Sequence, residues 1–156
     1  MIIRPAEKED LDVMAHLTRD ALSFASSPDP YHWEVGDAAL KKRLNSYLDP
    51  SKGAAFVLEV ENTKAGFVAA HVDELDPRNP DKGAIIDLLA VDRLYRGQGF
   101  GTNLVRELLI RLPERGITRI NVNVLGSSGA ALRFWRRIGF SELAITMSVQ
   151  VDVKGG

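Results

Sequence analysis

The chain contains no cysteine, which excludes disulfides, thiolate metal ligands and a thiol nucleophile, and leaves the redox compartment open. Aromatic residues are sparse at 7%, and neither sign of charge dominates: 20 Lys and Arg against 21 Asp and Glu give a formal net charge of -1. Such a balance produces no field that draws the whole molecule to nucleic acid or to an anionic membrane. No apolar run reaches the roughly 18 residues that would span a bilayer. Arg4, Glu7, Lys8, Glu9 and Asp10 come before any apolar core of a signal peptide. The expectation is a soluble cytoplasmic protein with no nucleic-acid or membrane partner. The three histidines, His16, His32 and His71, lack metal-ligand spacing, so no metal is expected and each reads as structural or exposed.

What is present suits one domain over residues 1–156: 45% of residues are hydrophobic and 26% charged, ordinary values for a soluble fold. Met1 to Arg4 reads as a short strand, and the acidic residues after it suit the positive end of a helix. Met14, Ala15, Leu17, Ala21, Leu22 and Ala25 recur at helical steps. Two prolines interrupt the loop Ser26 to Gly36. Asp37 is then placed to cap a second helix, with Leu40, Leu44, Tyr47 and Leu48 along one face and Pro50 as its stop. Ala54 to Val60 and Ala65 to Val72 read as strands joined by a hairpin turn at Glu61 to Lys64.

A polar loop, Asp73 to Gly83, leads into Ala84 to Val91, which is apolar at all positions but Asp87 and is expected to be covered on both faces. A third helix carries Leu104, Val105, Leu108, Leu109 and Leu112. Ile117 to Val124 forms a strand, and Ala130, Ala131, Phe134, Trp135 and Ile138 form a fourth helix face ended by Gly139. From Ala144 the tail alternates strictly, with Ile145, Met147, Val149, Val151 and Val153 on one face, the mark of a half-buried antiparallel strand. The predicted fold class is α/β (α+β): a mixed, mostly antiparallel sheet of about six to seven strands with four helices.

Between the buried strand and the third helix stands Arg96-Gly97-Gln98-Gly99-Phe100-Gly101, followed by Thr102. Glycines let the backbone turn sharply and approach a ligand closely, and the free N–H groups of the turn and helix start suit phosphate oxygens. An empty tight turn fits these six residues equally well. The nucleoside-triphosphate loop needs G-x-x-x-x-G-K-[ST] and the dinucleotide fingerprint needs G-x-G-x-x-G; neither is met.

The spacing R-x-x-G-x-G after a strand ending Leu-Ala-Val-Asp resembles the GNAT acetyltransferases. So does Ala131-x-x-Phe134-Trp135-x-x-x-Gly139-Phe140, which is similar to the family's A-x-x-L-Y-x-x-x-G-F. Ile3-Arg4-Pro5 and the acidic helix start match as well. The resemblance implies the GNAT fold and acetyl-CoA as cosubstrate. It places the coenzyme pyrophosphate on Arg96, Gly97, Gln98, Gly99, Phe100, Gly101 and Thr102, and the pantetheine arm along Leu89, Ala90 and Val91. The Val91 N–H would face the thioester oxygen, and Ser128, Ala131 and Phe134 would complete the coenzyme side. Ser128 stands where the family often has Asn and is also suited to capping the helix.

Within that resemblance Asp87 is the candidate general base, since an ammonium must lose a proton before attack and burial would strengthen the carboxylate as an acceptor. Trp135 occupies the position of the family's usual tyrosine acid. An indole N–H does not titrate near neutral pH, so Trp135 can only position. Tyr31, His32, Trp33 and Glu34 lie on the loop that borders the acceptor groove in this family, where exposed aromatics would clasp a substrate and buried ones would plug the core. The implied reaction is direct attack of an amine, from a small molecule or peptide, on an acyl-CoA thioester in a ternary complex. Dimers are common in the family, so a homodimer is compatible. The competing expectation is an acyl-CoA-binding sensor without turnover, supported by Trp135.

Overall fold

The computed structural model describes residues 1–23, 33, 35–73, 82–126 and 128–153. It falls into two compact units, Met1–Asn123 and Val124–Gly156.

The first unit is built on a five-stranded sheet in the order β1-β2-β3-β4-β5. The strands are β1 (Ile2–Pro5), β2 (Gly53–Val60), β3 (Thr63–Asp73), β4 (Lys82–Val91) and β5 (Ile117–Val122). Pairing is antiparallel from β1 to β4 and parallel between β4 and β5. The parallel step requires a crossover, which α3 (Phe100–Arg111) supplies. The β2–β3 hairpin closes on two residues, Glu61 (φ 49°) and Asn62 (φ 63°), so the turn is tighter than the four-residue one expected.

Alternation along the strands sorts the core into two layers. Ala55 and Val57 of β2, Phe67 and Ala69 of β3, and Leu88 and Ala90 of β4 pack with Met14, Ala15 and Leu17 of α1 (Leu11–Ser23) and with Leu40 and Leu44 of α2 (Asp37–Ser46). The neighbouring residues Phe56, Leu58 and Val68 are equally buried and point the other way, toward the face on which α3 buries Leu104, Val105 and Leu108. Both faces of the sheet are therefore covered, as the apolar run of β4 requires.

The N-terminal acids do start a helix, through a 3-10 turn at Lys8–Asp10 in which Glu7 and Asp10 form a reciprocal capping box. Asp10, only 1% exposed, accepts from Arg4 Nη1 (2.7 Å) and Nη2 (2.9 Å), from the Glu7 amide (2.8 Å) and from Lys64 Nζ (2.8 Å). Burial alone would raise its carboxyl; the Arg4 and Lys64 hydrogen bonds and the Glu7 amide outweigh it and hold the group well below the usual carboxylate range. Asp37, expected as a cap, is instead the first residue of α2 after Gly36 and pairs one turn on with Lys41 (3.1 Å). That helix stops at Ser46, ahead of Pro50.

In the second unit, α4 (Gly129–Ile138) begins at Ser128, whose hydroxyl accepts from the Ala131 N–H, and ends at Gly139 with φ 123°. The expected terminal strand is not formed. Residues 141–153 have no regular structure, and the five alternating apolar side chains from Ile145 to Val153 are 77 to 93% exposed. Alternation prepares a strand for a sheet, but only a neighbouring edge satisfies its backbone, and among the described residues no strand pairs with this segment. The described sheet therefore has five strands, fewer than the six or seven expected, while the four helices agree.

Candidate active site

Strand β4 changes character halfway. Ile86 pairs with Ala70 and Leu88 with Ala69, so Asp87 is an extra residue between two rungs of the β3–β4 ladder: a β-bulge. In a regular strand, residues 87 and 88 would face opposite sides. Here Leu88 packs into the α1–α2 layer, and Asp87 reaches Tyr47 of the same layer. Asp87, in phase with Ile85, faces the side that carries α2, and the bulge brings Leu88 and the residues after it onto that side as well.

Two side chains meet Asp87 there. The Tyr47 hydroxyl donates to Asp87 Oδ2 at 2.7 Å, and His71 Nδ1 lies 2.5 Å from the same oxygen. Burial pushes the Tyr47 phenol far above its ordinary value, and the negative Asp87 adds to the effect, so it stays a hydrogen-bond donor. Accessibility rises along the row: Tyr47 is 6% exposed, the Asp87 side chain 18% and the His71 side chain 42%. In the sequence, Tyr47 falls on an apolar helix stripe and His71 among scattered histidines. Neither is close to Asp87 in the chain, and no local spacing links the three.

The far half of β4 has an open edge. Its pairing with β5 ends at Ile86–Val122, while its pairing with β3 continues to Val91–Gly66. Among the described residues, no strand pairs with Leu88, Leu89, Ala90 and Val91 on the β5 side. The Asp92 amide donates to Ala65 O of β3 at 2.7 Å. Successive amides in a strand point to opposite sides, so the Val91 N–H is directed to the open edge.

A 3-10 turn at Arg93–Tyr95, capped by Asp92 through the Leu94 amide, then delivers the glycine segment. Arg96 Nε donates to Val91 O at 2.9 Å, and its Nη2 lies 3.9 Å from Asp20 of α1; Arg93 Nη2 pairs with the same carboxylate at 2.9 Å. Arg96 therefore ties the turn to the strand end, and Asp20, which no local motif singles out, anchors both arginines. Gly97 (φ 76°) and Gly99 (φ 83°) are left-handed, and a Cβ at either would meet nothing within 4 Å. Gly99 is the N-cap of α3 and supplies no side-chain acceptor, which leaves the first amides of Phe100, Gly101 and Thr102 uncapped. A glycine turn with open space above it and an uncapped helix start is a surface that fits phosphate oxygens.

Of the loop assigned to the acceptor, Tyr31, His32 and Glu34 lie outside the described residues. Trp33 is 3% exposed, sits in the α1–α2 layer, and has the Arg43 guanidinium 3.7 Å above its ring. It plugs the core rather than forming an exposed clasp. In the second unit, Trp135 is partly buried, with ring edges against Phe134 (5.0 Å) and Phe140 (5.2 Å), and Ser128 caps the helix that carries it.

Residues 15–140 match the family model described as Acetyltransferase (GNAT) family. The [ribosomal protein bS18]-alanine N-acetyltransferase of Escherichia coli strain K12 is 35% identical over 143 residues, covering 92% of this chain and 82% of that protein. An uncharacterized N-acetyltransferase of Methanocaldococcus jannaschii is 31% identical over 144 residues; the match covers 90% of this chain but 60% of that relative's length. The crystal structure of aminoglycoside N-acetyltransferase AAC(6')-Iy in complex with CoA superposes with a TM-score of 0.76 at 16% identity, covering 97% of this chain and 95% of that one, a likeness of fold. By the family match and the shared sequence, this chain belongs to the GNAT acetyltransferase family.

Proposed function

We propose that the protein transfers an acetyl group from acetyl-CoA to an amine by direct attack in a ternary complex. The observation that carries this reading is the continuity of β4: one strand presents a bulged carboxylate, an outward backbone donor and a glycine turn that opens onto a helix start. Acetyl-CoA supplies the activated acyl carbonyl and a thiol leaving group. The amides of residues 97–102 hold its pyrophosphate, Arg96 fixes the shape of that turn, and Leu89 to Val91 pair with the pantetheine arm as an added strand would. The Val91 N–H donates toward the thioester oxygen, where charge develops during attack.

Val91 lies four residue steps beyond Asp87, about 13 Å along a strand, a span that an amine and an intervening proton carrier can fill. The basic site built on Asp87 takes the proton that an ammonium must lose. The acceptors named for relatives, a ribosomal-protein alanine in one and an aminoglycoside in another, share an amine. That common chemistry supports an amine acceptor of small-molecule or peptide character.

Trp135 favours a second reading, an acyl-CoA sensor, because tryptophan cannot protonate a departing thiolate. Thiol release from acetyl-CoA, measured against a panel of amines and peptides, separates the two. Amine-dependent release is expected. Tight coenzyme binding without release across the panel would establish the sensor, and no coenzyme binding would overturn both.

A further inference from the structure

We infer that the group that takes the proton from the amine is His71, with Asp87 and Tyr47 as positioning residues behind it; this rests on the acetyltransferase reading above. Asp87 Oδ2 is an acceptor shared by two neighbours. Tyr47 donates to it, since its phenol is held protonated by burial and by that same carboxylate. A carboxylate oxygen cannot donate in return, so His71 Nδ1, at 2.5 Å, carries its proton toward Asp87. The neutral imidazole then leaves Nε2 with its lone pair free to accept.

The exposure gradient decides which member meets substrate. Tyr47 is sealed in the α1–α2 layer, Asp87 is mostly covered, and 42% of the His71 side chain reaches solvent. The arrangement follows from the sheet. His71 pairs with Ile85 across the β3–β4 ladder, and Asp87, two residues beyond Ile85, falls on the same face by strand alternation.

The step balances as follows. An ammonium acceptor loses one proton to His71 Nε2, and the freed nitrogen lone pair forms the C–N bond to the acyl carbon. The C–S bond breaks with its electron pair on sulfur. Of the two protons the nitrogen sheds in all, one leaves through His71 to solvent and the other ends on the coenzyme thiol. Among the described residues, the titratable or charged groups recorded in this row are Asp87 on β4, which His71 contacts, Tyr47 at the end of α2, which shares Asp87 Oδ2, and Arg43 of α2, whose charge acts on the Tyr47 phenol; Asp73 lies two residues along β3.

The test uses the full chain. For the wild type, kcat/KM against pH is expected to show an acidic limb. His71→Gln should lose that limb and about 100-fold of kcat/KM near neutral pH, the lower end for general-base catalysis, with the coenzyme Kd unchanged and partial rescue by added imidazole. His71→Gln with the wild-type rate and profile would overturn the inference. A second readout needs no turnover: 15N spectra of the histidine rings should show the Nδ1–H tautomer for His71, lost in Asp87→Asn, and an Nε2–H tautomer in the wild type would overturn it. Coenzyme binding without amine-dependent thiol release by the wild type would instead remove the acetyltransferase reading on which the base role rests, while the tautomer still decides the His71–Asp87 geometry.

Discussion

Replacing Gly99 with alanine isolates what the glycine turn contributes to binding from what it contributes to folding. Gly99 has φ 83° and ψ 6°, so alanine there pays the left-handed penalty of about 1–2 kcal/mol. For a domain of this size that corresponds to a fall in Tm of about 2–8 °C. No clash adds to it, because the new Cβ meets nothing within 4 Å. The protein should fold. The same methyl enters the open space at the turn, on the approach proposed for a phosphate oxygen. Loss of one charge-assisted backbone contact is worth about 1.5–3 kcal/mol, or about 10- to 150-fold in Kd. Calorimetry of wild type and Gly99→Ala with coenzyme A, and with pantetheine as the fragment lacking pyrophosphate, reads this directly. The loss should appear for coenzyme A and vanish for pantetheine. Equal affinities for coenzyme A in the two proteins, or an equal loss for both ligands, would refute a pyrophosphate site at this turn.

Two further outcomes concern the surrounding charges. Asp10→Asn removes a buried acceptor of four hydrogen bonds; since Arg4 keeps Glu59 at 2.8 Å, the cost falls at the lower end for a broken buried pair, about 3 kcal/mol, and Tm should drop by about 6–12 °C at neutral pH. Because the folded carboxyl lies below its unfolded value, its stabilisation is complete above about pH 4 and drains as pH falls further, so thermal melts of the two proteins should converge in acid. Tyr47→Phe deletes the donor to Asp87 while keeping the buried ring, costing about 1–3 kcal/mol by thermal or urea unfolding. In the wild type the Tyr47 phenol lies above its unfolded value, so its stabilisation is present below about pH 10 and lost as pH rises. Ultraviolet titration should show it ionising only as the protein unfolds.

Local patterning carried most of the fold because most elements are local. The α1 stripe, the two strands of the hairpin, the apolar β4 run and the glycine segment each state their period or turn within a dozen residues. The open edge of β4 and the turn beyond it could likewise be expected from one continuous segment. The row Tyr47–Asp87–His71 could not. Its members come from three elements, and the cross-strand register that sets His71 beside Asp87 is silent in a run that is apolar on either side of Asp87. Tyr47 falls in step with Leu40 and Leu44, so periodicity counts its ring and overlooks its hydroxyl. The tail failed for the opposite reason. Its alternation is perfect, but period alone cannot say which edge, if any, receives a strand.

The bulge at Asp87 also makes β4 a device that depends on counting. Before it, even-numbered Ala84 and Ile86 turn away from the α1–α2 layer; after it, even-numbered Leu88 and Ala90 turn toward that layer. One inserted residue shifts the phase of everything downstream, including the direction in which the Val91 amide points. That orientation belongs to no particular side chain. Substitution scans along the strand would pass over it, whereas removal of a single residue at the bulge would invert it and leave the composition of the strand almost intact.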